Sequence, residues 1–225
     1  MSDSATPTSG RRRIFLVDDH PLVREWLTTL INQQKDLVVC GEAEDAPRAL
    51  QAIESLQPDA AVVDVTLASG SGIELVKDLK RVAPKVAVVV LSMHDAALYA
   101  ERALRAGARG YVMKRETTKK VIAALHEVLS GKLYVSEDFR TSLTEKLIQG
   151  RAGESPVDIL SDRELEVFRR LGQGHETRRI GEALGISMKT VQVYCGRIKE
   201  KLNLANATEL LREAMRWWES EGRED

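Results

Sequence analysis

The sequence predicts an open, doubly wound α/β domain on a five-stranded parallel sheet, followed by an all-α domain of four helices with a helix-turn-helix. Three observations predict this. Short apolar runs without polar alternation recur as far as Met113, the pattern of strands covered on both faces. Amphipathic stretches separate them, so strands and helices alternate, and right-handed crossovers leave few topologies. After Gly131 the runs cease and only helical periodicity remains.

The elements follow in order. Residues 1–11 are rich in Ser, Thr, Pro and Gly and lack an apolar core, so they read as a disordered tail rather than a signal peptide. Ile14–Val17 is the first strand and stops at the adjacent Asp18 and Asp19. Pro21, at a first-turn position, opens a helix with Val23, Leu27, Leu30 and Ile31 on one face. Leu37–Val39 is the second strand, and Ala49, Ala52, Ile53 and Leu56 mark the second helix. Ala60–Val63 is the third strand and stops at Asp64; Leu75, Val76, Leu79 and Val82 mark the third helix. Val86–Leu91 stops at Ser92, and Leu98, Ala103 and Leu104 give a helix ended by Gly107. Tyr111–Met113 is followed by Lys114, and Val121, Ile122, Leu125, Val128 and Leu129 give a helix ended by Gly131.

Residues 12–130 therefore form the first domain and 131–156 a linker with a helix over Ser136–Gln149. Residues 157–221 form the second domain. Ser161–Glu164 has the form of a capping box before Leu165, Phe168 and Leu171. Ile180 and Leu184 lie on the next helix, and Gly185–Ser187 makes a turn. Val191, Cys195, Ile198 and Leu202 form the inner face of a third helix, and Leu210–Trp218 lies in a fourth.

Composition narrows the function. The 225 residues carry a net charge of −1, so nucleic-acid binding requires local charge. Arg163–Lys201 supplies it, with nine basic residues against five acidic. Cys40 and Cys195 lie too far apart for a disulfide framework or metal spacing and fit a reducing cytoplasm. The longest apolar run is too short to span a bilayer, so a cytoplasmic protein without a membrane partner is expected.

A parallel sheet brings all strand ends to one rim, here Asp18, Asp19, Asp64, Ser92 and Lys114. Three carboxylates repel one another and favour a hard cation such as Mg2+. A carboxylate beside such an ion acts as a nucleophile toward phosphorus, and lysine offers a compact charge to the phosphoryl oxygens. The plainer reading is that strand-end Asp residues only cap the following helices. Five groups of both signs on one rim weigh against it.

These residues resemble the receiver domain of bacterial response regulators, a flavodoxin-like fold. The resemblance rests on VDDHP (Val17–Pro21), Val63–Asp64, Leu91–Ser92 and AGARGYVMK (Ala106–Lys114). It implies phosphorylation of Asp64 by a sensor histidine kinase. It implies Mg2+ held by Asp19, Asp64 and the carbonyl of Thr66, with Asp18 assisting through water. Lys114 would pair with the phosphoryl group, Ser92 would move to bond it, and Tyr111 would swing inward. After Asp64 the family usually carries Met-Pro; here Leu67 and Ala68 stand there, followed by Gly70 and Gly72, so a more mobile loop is expected. Thr66 and His94 lie where the family tunes phosphoryl lifetime, although His94 reads equally well as a solvated loop residue.

The second domain resembles the four-helix DNA-binding domain of the LuxR and NarL/FixJ families. Leu160–Val167, Gly174, Ile180, Leu184–Ser187, Lys189–Val191, Lys201–Leu202 and Glu209–Leu210 carry the resemblance. Joined to the receiver, it implies a NarL/FixJ-type response regulator: a transcription factor, not an enzyme, that binds double-stranded DNA under phosphorylation control as an active homodimer. Helical geometry directs Lys189, Gln192, Val193 and Gly196 toward base edges, where Gln bonds adenine and Val meets a thymine methyl. Thr190, Arg197, Lys199, Arg178 and Arg179 suit phosphates. Tyr194, Gly196 and Ala207 depart from the family pattern. The last helix dimerises in the family, so of Trp217 and Trp218 one is expected in the core and one near that interface. Two rivals stand beside this reading. One is a phosphorylation-independent regulator of the same fold. The other is a Mg-dependent phosphohydrolase, against which the adjacency of Asp18 and Asp19 argues.

Overall fold

The computed structural model describes residues 10–67, 71–93, 96–115, 118–137, 139–141 and 156–221. The chain divides into two compact units between Gln149 and Gly150. Ala68, Gly70, His94 and most of the helix expected over Ser136–Gln149 lie outside the described residues, although Glu137 and Phe139–Thr141 are helical.

In the first unit β1 (Arg12–Val17), β2 (Leu37–Ala43), β3 (Ala60–Asp64), β4 (Ala87–Ser92) and β5 (Gly110–Met113) pair in parallel in the order β2-β1-β3-β4-β5. The connections run through α1 (Pro21–Asn32), α2 (Ala46–Leu56), α3 (Gly72–Val82) and α4 (Ala96–Ala106), and α5 (Thr118–Leu129) follows β5. Strand order reverses between β1 and β3, so their carboxyl ends flank a crevice. All five residues of β3 are buried, which explains its unbroken apolar run up to Asp64. On one face Ile14, Leu16, Val62, Val89, Leu91 and Val112 pack with Leu27, Ile31, Leu125 and Val128. Each such side chain contributes about 1.5–3 kcal/mol on full burial.

Some boundaries differ from the sequence reading. β2 continues to Ala43, four residues beyond Val39. As an edge strand it is covered less completely, so half-buried Cys40, Gly41 and exposed Glu42 extend it without an apolar pattern. β4 includes Ser92, paired with Met113, and β5 starts at Gly110. Arg11, counted with the tail in the sequence, donates to the carbonyls of Asn32 (3.1 Å) and Gln34 (2.8 Å) and is thereby tied to the end of α1.

The second unit begins with a 3-10 turn (Pro156–Ile159), followed by α6 (Asp162–Gly172), α7 (Thr177–Leu184), α8 (Met188–Lys201) and α9 (Ala207–Glu221). Ser161 and Glu164 form a complete capping box on α6. α7 ends at Gly185, whose φ of +65° is left-handed and favours glycine. Ser187 then caps α8 by accepting from the Thr190 N–H at 3.1 Å. These two caps hold α7 and α8 in a helix-turn-helix. Leu165, Phe168, Ile180, Val191, Ile198, Leu210, Ala214 and Trp217 are buried, with the Phe168 and Trp217 rings 5.7 Å apart. Trp217 takes the core position expected of one of the two tryptophans, and Trp218 is half-buried. Cys195 and Leu202 are also half-buried, at the margin of the inner face instead of its centre, where Val191 and Ile198 close off solvent. Partial burial pushes the Cys195 thiol pKa up.

Candidate functional site

The strand ends converge as the topology requires. Asp18, Asp19, His20 and Asp64 offer ligand atoms that all lie within 4.8 Å of one another. Lys114, one residue past β5, reaches across two strands. Its Nζ lies 2.7 Å from Asp18 Oδ2 and 2.6 Å from Asp64 Oδ2. Its backbone N–H donates to the Ser92 carbonyl at 2.7 Å, which ties the end of β4 to the residue that enters the pocket. Ser92 and Tyr111 are buried, at 0% and 2% exposure.

The electrostatics are unbalanced. Asp18 and Asp64 are buried, and Asp19 is partly exposed. Burial pushes the Asp64 pKa up to about 6; Lys114 opposes this and the Asp18 charge adds to it. For Lys114 burial acts to lower the pKa, but the Asp64 and Asp18 carboxylates outweigh it and hold the ammonium above its usual value. Asp19 Oδ1 is buried without a hydrogen-bond donor. His20 Nδ1 stands 2.7 Å away as a charge neighbour but lacks hydrogen-bond geometry. A hard, acceptor-only oxygen left in this state is what a divalent cation satisfies, so the residues fit Mg2+.

Local sequence explains the placement. Ser71 caps α3 by accepting from the Ile73 and Glu74 N–H groups, and Thr66 bridges Ser71 across the loop. The Thr66 backbone N–H donates to the Asp64 carboxylate. Gly72 does not loosen this loop, contrary to the sequence reading. It is buried against β3, and a Cβ there would lie 1.8 Å from the Asp64 carbonyl oxygen. Glycine is needed for close approach, and that approach fixes the backbone behind Asp64.

Two residues escaped the sequence reading. His20 donates its backbone N–H to Asp18 Oδ1 at 2.9 Å, and its ring borders both aspartates. Arg24 donates to the Asp18 carbonyl at 2.7 Å. Their position just after the aspartate pair and one helical turn later was the available signal.

In the second unit Lys189, Gln192, Val193 and Arg197 are exposed on α8, while Thr190 and Lys199 are half-buried. Val193 is 48% exposed. Gly196 is half-buried, and a Cβ there would meet no atom within 4 Å. Arg178 and Arg179 are exposed on α7, Arg178 paired with Glu182 at 3.2 Å. The inner end of the unit is held by Glu164, which accepts from the Ser161 N–H (2.7 Å) and from Lys201 Nζ (2.6 Å). Burial acts to raise the Glu164 pKa, but the Lys201 ammonium and these hydrogen bonds outweigh it and hold it below the usual carboxylate value.

A strand-end carboxylate pocket in one unit and a helix-turn-helix in the other define a two-domain signalling protein. Comparison with known proteins agrees. Residues 14–126 match the response regulator receiver domain, and residues 158–214 match the bacterial regulatory proteins of the luxR family. The chain is 35% identical to the transcriptional regulatory protein UhpA of Escherichia coli, over 91% of this chain and 98% of that protein. It is 32% identical to the response regulator GacA of Pseudomonas aeruginosa, over 91% and 95%. RcsB of Salmonella enterica serovar Typhimurium, solved on promoter rprA with the phosphomimetic BeF3-, is similar over 92% of this chain and 99% of that one, at TM-score 0.58 and 25% identity. The chain belongs to the NarL/FixJ-type two-component response regulators, with a receiver domain and a LuxR-type DNA-binding domain. Among the described residues no helix is long and apolar enough to cross a membrane.

Proposed function

We propose that Asp64 is the phosphoacceptor and that its phosphorylation controls binding of the second domain to double-stranded DNA. The carrying observation is the Lys114 ammonium held between the Asp18 and Asp64 carboxylates, beside a buried Asp19 oxygen that lacks a donor. An Asp64 oxygen attacks the phosphorus of a phosphohistidine on a sensor histidine kinase. The P–N bond breaks as the P–O bond forms, and the imidazole leaves neutral because its other ring nitrogen already carries a proton. Asp19, Asp64 and the Thr66 carbonyl would hold Mg2+, with Asp18 assisting through water, and the ion would supply positive charge to offset that on the phosphoryl oxygens. Lys114 follows the phosphoryl group, and Ser92 donates to it.

The response reaches the surface through β4 and β5, because Lys114 and Ser92 are joined through the backbone. Ser92 and Tyr111 then favour one of two receiver states, which drives homodimerisation or releases the DNA-binding domain. On DNA, Lys189, Gln192 and Val193 read base edges, and Thr190, Arg197, Lys199, Arg178 and Arg179 bind phosphates. The protein acts in the cytoplasm as a regulator, not as an enzyme that turns over a substrate.

The test is intact mass and size of the full chain with Mg2+ and acetyl phosphate, beside Asp64→Asn. Gain of one phosphoryl group by the wild type alone, with tighter DNA binding, is the expected result. A variant that still gains the group, or binds DNA in response to the donor, would overturn the assignment.

A further inference from the structure

In the second unit Arg179, assigned to phosphates above, has positive neighbours that were not used there. Arg169 and Arg170 lie in the last turn of α6, and Arg179 lies in the first turn of α7. His175 stands in the turn between them and donates its backbone N–H to the Arg170 carbonyl at 3.0 Å. Its Nδ1 is buried and has no hydrogen-bond partner. Arg169 Nε is also buried without a well-formed hydrogen bond, 3.4 Å from Glu166 Oε2.

The charges around His175 share one sign. Arg179, Arg170 and Arg169 all act on its ring, and among the described residues no carboxylate does. Burial and these three charges hold its pKa below the usual histidine value. Of the three buried carboxylates of α6, Asp162, Glu164 and Glu166, it is Glu166 that meets these arginines: it is bonded to Arg170 at 2.8 Å and paired with Arg169 at 3.4 Å. On α7, Glu182 pairs with Arg178 at 3.2 Å. Glu176 precedes α7 and makes no side-chain cap, so the first N–H groups of that helix have no side-chain acceptor. Three guanidinium groups thus act on one orphaned imidazole nitrogen, and Glu166 meets only two of them. Such a surplus favours an incoming anion.

We propose that Arg169, Arg170, His175 and Arg179 clamp a backbone phosphate of double-stranded DNA. In a helix-turn-helix the helix before the recognition helix crosses the DNA backbone, and α7 is that helix. The phosphate offsets the repulsion from the arginines, so His175 takes up a proton from solvent when DNA binds. The clamp rests on the DNA-binding reading above. It adds an affinity that depends on pH and not on base sequence.

The test uses the full chain and a labelled duplex of arbitrary sequence, titrated by fluorescence anisotropy across salt and between about pH 5.5 and 8. Wild-type affinity should rise as pH falls, by up to about tenfold per unit from this one proton. His175→Gln should lose that part of the slope yet match the wild type at the alkaline end. Arg179→Gln should lower the salt slope by about one, and Arg179→Lys should retain it. Unchanged pH and salt slopes in the two glutamine variants would overturn the clamp alone. A wild type that binds no DNA would overturn the DNA reading and the clamp with it.

Discussion

Asp64 and Glu164 are both almost fully buried carboxylates, each beside a lysine, yet they titrate in opposite directions. Burial raises the Asp64 pKa to about 6, with the Asp18 charge adding to the rise and Lys114, which Asp64 shares with Asp18, opposing it. Glu164 has Lys201 to itself and accepts from the Ser161 N–H, so its pKa falls. A buried acid whose partners are complete is architecture. One whose partners are short by a positive charge is held ready for a ligand.

The largest effect that tests this comparison is Glu164→Ala. It removes the capping box and strips Lys201 of its partner, and should destabilise the second unit by about 2–4 kcal/mol. Urea unfolding followed by fluorescence reads this out, since Trp217 and Trp218 report on the second unit and Trp26 on the first. A loss below about 0.5 kcal/mol would mean that Glu164 is no more than a surface cap.

Asp64→Asn should act in the opposite sense, stabilising the Mg2+-free first unit by roughly 1–3 kcal/mol above pH 7. The Asp64 pKa is raised on folding, so the stability gained from its protonated form is complete at low pH and lost as pH rises through about 6. Asn mimics the protonated form, and its advantage should fade below that pH. For Glu164 the folded pKa is lowered. Its contribution is present above the usual glutamate pKa and lost as pH falls through the lowered value. Thermal melts across pH, with the two units followed separately, should therefore show slopes of opposite sign from these two groups.

Mg2+ should stabilise the first unit of the wild type by about 1.4 kcal/mol at ten times its dissociation constant and leave the second unit unchanged. Equal stabilisation of Asp19→Asn would remove Asp19 from the metal site. The smallest effect is expected at Gly196. A Cβ there meets nothing, so Gly196→Ala should stabilise α8 by about 0.5–1 kcal/mol in urea unfolding.

The same contrast marks how much the sequence made legible. Strand ends could be read because an apolar run that stops at Asp18, Asp64 or Ser92 marks a rim position whatever lies elsewhere in the chain. β2 could be read only in part, since an edge strand tolerates Gly41 and Glu42. The shared rim brought Lys114 near Asp18 and Asp64 although 96 positions separate Lys114 from Asp18, but it did not say which carboxylates the ammonium bonds. Lys201 meets Glu164 across 37 positions, and no local pattern records that pair. Glu164 carried a capping-box signature that was correct and incomplete. Gly72 read as loop freedom because glycine looks the same in sequence whether it serves a turn or a tight approach.

One feature of the first unit bears on how fast a signal can leave the pocket. Lys114 touches Asp64 with its side chain and the Ser92 carbonyl with its main chain. On the proposal that Asp64 is the phosphoacceptor, chemical input and mechanical output would meet in a single amino acid, and a pull on the ammonium would reach β4 through the same residue.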